Sequence, residues 1–281
     1  MATVTTSAEA PALSALPPAS GRAGLVGAMR SEWTKIRSVR STYWTLIALV
    51  VVSVGLGAAI SAGAASELNA HPLHKVGFDP TQISLFAFFE LGQLVIAVLG
   101  AMVITSEYST GMIRTSLTSQ PRRGTVYAAK AVVFGLIALV VSLVVSFLAF
   151  FLGQALLSST GVAATLSQPR VLQAVVGSAL LVALVAMFSF GLGAIFRHTA
   201  AAITTAIGVV FVLPIIVNIM PESWQQDIVR WLPSSAGEVL TTTVGSPPPH
   251  YFSPWGQFGV TAAYAAAALI IGFIVLRKRD A

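Results

Sequence analysis

The chain has 281 residues, 56% of them hydrophobic and only 9% charged, with a net charge of +6. Soluble domains average about 25% charged residues, and so apolar a chain cannot hide its surface in a water-soluble core, so lipid is the expected solvent. The lack of cysteine excludes disulfides, thiolate metal sites and cysteine nucleophiles.

Residues 1–23 are rich in Ala, Thr, Ser and Pro, with no basic start and no continuous apolar run. They are expected as a disordered cytoplasmic tail rather than a cleaved signal peptide. Residues 24–281 then form one transmembrane domain. In the stretch 25–43, Leu25, Met29, Trp33, Ile36 and Tyr43 recur at helical spacing, and Arg30, Lys35, Arg37 and Arg40 lie mostly elsewhere on the wheel. That pattern predicts an in-plane amphipathic helix at the inner leaflet, its basic face toward lipid phosphates.

A bilayer core of about 30 Å needs roughly 20 apolar residues of helix. Six stretches qualify: Trp44 to Ala62, Ile83 to Thr105, Ala131 to Phe151, Leu172 to Phe196, Ala200 to Met220 and Phe258 to Leu276. Only Arg197, His198 and Thr199 part the fourth from the fifth, and the basic pair there predicts a tight hairpin, not one long bent helix. The fold class is therefore an all-α integral membrane protein with six transmembrane helices. Of the 16 Lys and Arg residues, 13 fall on one side of this topology, leaving Lys75, Arg170 and Arg230 on the other. The positive side is cytoplasmic, which puts both termini inside and the chain in the plasma (inner) membrane. It also accounts for a pI near 10.1 without a nucleic-acid partner. Between Pro221 and Pro233, Trp224, Ile228, Trp231 and Leu232 share a helical face on the outer side. This segment either lies in the interface or dips back into the membrane.

Sites are sparse. No P-loop, H-E-x-x-H or G-x-S-x-G motif is present, so the chain has no ATP-binding or hydrolase signature of its own. His71 and His74 stand in H-P-L-H with a proline between them and no evident third ligand, which reads as a solvated loop, not a metal site. Glu90 is the sole acid within a span, and with Gln93 it is a candidate intramembrane polar site. It is either a proton or substrate site, or a carboxyl near the outer surface that is hydrogen-bonded or reached by water. Pro214, Gly191, Gly193 and Gly208 suit kinks and close helix contacts.

The inner loop after the second span runs from Ser106 through Glu107, Gly111, Met112, Ile113 and Arg114 to Pro121, Arg122 and Arg123, and Lys130 leads into the third span. Its first part is short, polar and amphipathic. It is either a docking surface for a soluble partner or a topological loop whose Arg122, Arg123 and Lys130 face lipid phosphates.

At this loop the sequence resembles permease subunits of ATP-binding cassette transporters of the ABC-2 type. The pattern Glu-x-x-x-Gly, then Thr or Met, then Ile or Leu, a polar stretch, Pro-x-Arg and a following Lys reads here as Glu107, Gly111, Met112, Ile113, Pro121, Arg123 and Lys130. The basic helix containing Ser31-Glu32-Trp33-Thr34-Lys35, the six spans and Leu232-Pro233 before the last span extend the resemblance over residues 25–279. It implies a separate cytoplasmic ATPase subunit that binds ATP and Mg, and a second permease copy, identical or related. It also implies that Glu107 to Arg114 is a coupling helix docking in a groove of the ATPase, and that spans one, two and five line the path. In that reading Met112 and Ile113 supply an apolar anchor, while Glu107 and Arg114 set orientation. An ATP-independent transporter or channel built on Glu90, and a membrane scaffold, are the competing expectations.

Overall fold

The computed structural model describes residues 24–112, 123–246 and 249–278. The expected tail 1–23, and Ile113, Arg114 and Arg122 of the inner loop, lie outside them. Among the described residues all regular structure is helical, and six helices are long and apolar enough to cross a membrane.

Helix α1 (Leu25–Ser38) ends where Val39 turns extended, at φ −87° and ψ 114°. The expected amphipathic segment therefore breaks four residues before Tyr43, and the first span, α2 (Arg40–Ala70), begins at once. The face that α1 buries is Ala28, Glu32 and Ile36, one residue per turn, whereas Leu25 and Trp33 stay exposed. The second span, α3 (Pro80–Ser109), starts three residues ahead of its apolar run. Asp79 caps it by accepting hydrogen bonds from the Thr81 and Gln82 amides, and Pro80 supplies a pre-set first turn. The third span, α4 (Arg123–Thr160), is 38 residues long. At 1.5 Å per residue that is about 57 Å, well beyond a hydrocarbon core of about 30 Å, so its basic start stands outside the apolar zone.

The fourth span, α5 (Val171–Phe196), reverses within two residues into the fifth, α6 (Thr199–Asn218). Arg197 adopts the left-handed conformation at φ 56° and closes α5 with its amide on the Gly193 carbonyl, and His198 is extended. The hairpin expected from the basic pair is present. Beyond α6 the chain forms the exposed α7 (Glu222–Val229) and then the largely buried α8 (Ser235–Thr241). The last span is α9 (Pro254–Lys278).

The spans stack as two layers. Helix α3 packs against α2 on one side and α6 on the other, and α5 packs against α4 and α9. Helix α5 is the hub: it touches α3 across the layers and is the most buried span, where α2 and α6 are the least. Close approach at the hub needs missing side chains. A Cβ on Gly191 would meet Ala268 Cβ at 2.7 Å, and one on Gly100 would run into the Ala186 carbonyl. Gly191→Ala is therefore expected to lower the melting temperature in detergent, overpacking of this kind costing about 1–3 kcal/mol; an unchanged melting curve would show that α9 can step aside.

Each helix of the α2–α3–α6 layer contains a π-helical stretch: Val51–Leu56, Phe88–Gly92 and Gly208–Val212. The α4–α5–α9 layer has none among its described residues. Such stretches mark places where the helical ladder is locally rearranged, often at functional sites.

The dip into the bundle comes after Pro233 rather than before it. Trp224 and Trp231 around α7 are exposed, whereas Leu232 and most of α8 are buried. Helix α8 seats Gly237 against the Phe89 ring and Leu240 against Gly177. Gln257 donates to the Arg230 carbonyl at 2.8 Å, and Thr261 donates to that of Pro233 at 3.2 Å. Irregular backbone at membrane depth needs internal partners of this sort.

Candidate coupling site at the basic end

Three elements converge at the end of the bundle where α2 begins: α1, the last turns of α3 and the first turns of α4. Each brings charge. Glu32 comes from the buried face of α1, Lys35 from one turn further on, Glu107 from the end of α3 and Lys130 from two turns into α4. Lys130 Nζ donates to Glu107 Oε1 at 2.8 Å and also to Glu32 Oε2. Lys35 Nζ donates to Glu32 Oε1 at 2.8 Å and to Glu107 Oε1 at 3.1 Å. Glu32, Glu107 and Lys130 are 3%, 6% and 3% exposed. Two carboxylates and two ammonium groups thus make an alternating, neutral quartet, the arrangement that offsets the desolvation of each member. Burial alone would lower the Lys35 pKa, but its hydrogen bond to Glu32 and the charge of Glu107 outweigh that and raise it above 10.5. Glu107 Oε2 is buried with no hydrogen-bond partner among the described residues.

The quartet borders a cavity of about 220 Å³ between the α1–α2 elbow and α3. Its wall includes Thr42, Leu99, Ser106, Thr110 and Met112. Past Glu107 the α3 helix ends, and Gly111 takes φ +71°, a conformation that glycine adopts without strain. Met112 then stands 45% exposed. On the far side of α3, Arg197 lies 5.2 Å over the Tyr108 ring and reaches the Val275 carbonyl at 3.4 Å, and Thr199 shares a hydrogen bond with Thr105 at 2.7 Å. The α5–α6 hairpin and the end of α9 thus meet the same end of the bundle.

The residues singled out from sequence separate into groups here. Glu107, Lys35 and Lys130 come together, but inside the protein. Lys130 is buried against two carboxylates, and Glu107 is paired with two lysines. Arg30, Arg37 and Arg40 remain on the exposed surface. Glu32 completes the quartet and was not recognised from sequence. The available signal was an acid in phase with Ala28 and Ile36 on an otherwise basic helix. Glu90 lies in the π-helical stretch of α3, half-buried beside the buried Gln93, where it feels the charge of Glu238 on α8. Seventeen residues separate it from Glu107, about 25 Å along the helix, so it belongs to neither the quartet nor the cavity. At the opposite end, His74 Nδ1 and His71 Nε2 both approach Glu67 Oε1, at 3.2 and 3.8 Å, on the exposed surface.

Six apolar helices in two layers, with a buried charge quartet tying the second and third spans to α1 at one end, define a multi-pass helical membrane protein. The family described as ABC-2 family transporter protein matches residues 29–281. The chain belongs to that family, whose permeases are membrane components rather than ATPases and generally work with a cytoplasmic ATP-binding partner. No curated protein matches the chain.

Proposed function

We propose that this chain is the membrane subunit of an ATP-driven exporter in the plasma membrane, with both termini cytoplasmic, coupled to a separate ATPase that binds ATP and Mg. The segment from Glu107 to Arg114 is its docking element. The observation that carries this reading is the quartet. Glu107 and Lys130 stand on either side of the inner loop, and Glu32 and Lys35 tie both to α1. Force applied to the loop therefore reaches α1, α3 and α4 together. From α1 it passes through the Val39 elbow to α2, and from α3 to α6. Those three spans form the layer with the π-helical stretches, and α2 and α6 are the spans least buried by the described residues. A second permease facing that layer would complete the path.

The double substitution Met112→Asp, Ile113→Asp tests it. The tagged protein purified in mild detergent is expected to carry a P-loop ATPase at about equal stoichiometry, and the double variant to insert normally but lose it. An intact complex with normal transport in the variant would remove the docking assignment. An ATP-independent transporter centred on Glu90 is the competing reading, since Glu90 lies in a π-helical stretch. Glu90→Gln would then abolish transport while the docking variant would not.

A further inference from the structure

A second concave surface lies at the seam between α2 and α4, on the edge of the two layers. It is a groove of about 410 Å³ whose wall is almost wholly apolar, formed by Tyr43, Ile47 and Val51 on α2 and Val140 and Val144 on α4, among others. From Tyr43 to Val51 is eight residues, so it runs about 12 Å along the helix. Ile47, Val51, Val140 and Val144 are each more than half exposed. The groove therefore opens sideways, and none of the described residues fills it.

Its upper end is cationic. Arg40 stands on the same face of α2 as Tyr43 and Ile47, at positions i, i+3 and i+7. The Tyr43 hydroxyl donates to the Arg37 carbonyl at 2.7 Å, which draws the end of α1 over the groove. The Arg37 guanidinium lies 6.0 Å from the Trp33 ring. Neither arginine makes an ion pair among the described residues, because the nearby acids Glu32 and Glu107 are already taken up by Lys35 and Lys130. Trp33 and Trp44 are exposed beside them, as aromatic rings are at a membrane–water interface. Two cations over a lateral apolar slot match an anionic head group with a hydrocarbon tail.

We propose that this groove is a discrete binding site for an anionic phospholipid, with one acyl chain between α2 and α4 and the phosphate on Arg37 and Arg40. This goes beyond the permease reading and does not depend on it. A second copy of the chain is the rival occupant. The charge at the upper end and the position on the α2–α4 edge, away from α6, favour lipid.

Native mass spectrometry of the full chain in mild detergent, titrated with phosphatidylglycerol or phosphatidylcholine, tests the site. One phosphatidylglycerol per chain is expected at concentrations where phosphatidylcholine leaves the protein bare. Arg37→Gln with Arg40→Gln should cut that binding at least fivefold, to the phosphatidylcholine level. Val144→Trp, at a lipid-exposed position, should expel either lipid by filling the slot. Equal binding of the two lipids by the unaltered chain, or undiminished phosphatidylglycerol in both variants, would overturn the proposal. Rapid disulfide dimerisation of Ile47→Cys in membranes would do the same by placing a second copy there. The chain has no cysteine of its own to confuse that readout.

Discussion

Replacing Lys130 by methionine is expected to destabilise the protein by about 3–5 kcal/mol, the usual cost of breaking a buried ion pair from one side. Methionine matches the lysine stem in length and removes only the charge. Glu32 and Glu107 then face each other across a site almost closed to water, with Lys35 as the sole remaining cation of the quartet. The effect should appear as a large drop in melting temperature in detergent. Adding Glu32→Gln and Glu107→Gln to the same chain should restore most of the loss, because the repulsion disappears while hydrogen-bonding capacity remains. A single variant that melts with the wild type would mean that water reaches the quartet freely. A restored triple variant that folds but fails to transport would separate the stabilising role of the charges from a role in coupling.

The second large effect is expected at the opposite end, from Asp79→Ala. This carboxylate is nearly buried and does two tasks at once. It caps α3, accepting from the Thr81 and Gln82 amides, each at 3.0 Å. It also holds the segment after α8, accepting from the Thr243 amide and hydroxyl at 2.5 and 2.8 Å and from the Val244 amide at 2.9 Å. Losing the cap costs about 1 kcal/mol, and each of the three further hydrogen bonds to the charged group about 1.5–3 kcal/mol, so a total on the order of 5 kcal/mol or more is expected. The local readout is sharper than the global one. Amides of residues 242–246 should lose protection from hydrogen exchange while those of α5 keep theirs. If 242–246 stay protected, Asp79 is a cap and no more. Asp79→Asn should recover only part of the loss, since its amide nitrogen cannot accept from the donors it would face.

The spans were legible because lipid imposes a coarse rule that composition satisfies: long apolar runs, with basic residues at alternate ends. The α5–α6 hairpin was legible for the same reason, since Arg197 and His198 interrupt an otherwise continuous run. What hydropathy could not reveal was where helices end. Asp79-Pro80 extends α3 backwards by capping, and α4 continues through Gly124 to Lys130 because helix needs no lipid to persist. Nor could it show the partners of charged residues. Lys130 and Glu107 are 23 residues apart on different helices, and Lys35 and Glu107 are 72 apart. Their meeting depends on how α1 folds back over the bundle. A basic residue near a span reads as an anchor to phosphate until an acid is found beside it. Helix α8 was missed for a related reason. It is only seven residues long, and its burial comes from the pocket made by Phe89, Gly177 and α9 rather than from any apolar run of its own.

The two-residue reversal at Arg197 and His198 has a geometric consequence. Helices α5 and α6 are joined there by the shortest of links, and the link is held by Tyr108, Thr105 and the Val275 carbonyl. Helix α6 is tied to the hub at that end, so a tilt of the helix would turn about that point. Its 20 residues make a lever about 30 Å long. A tilt of about 10° there would carry its far end about 5 Å.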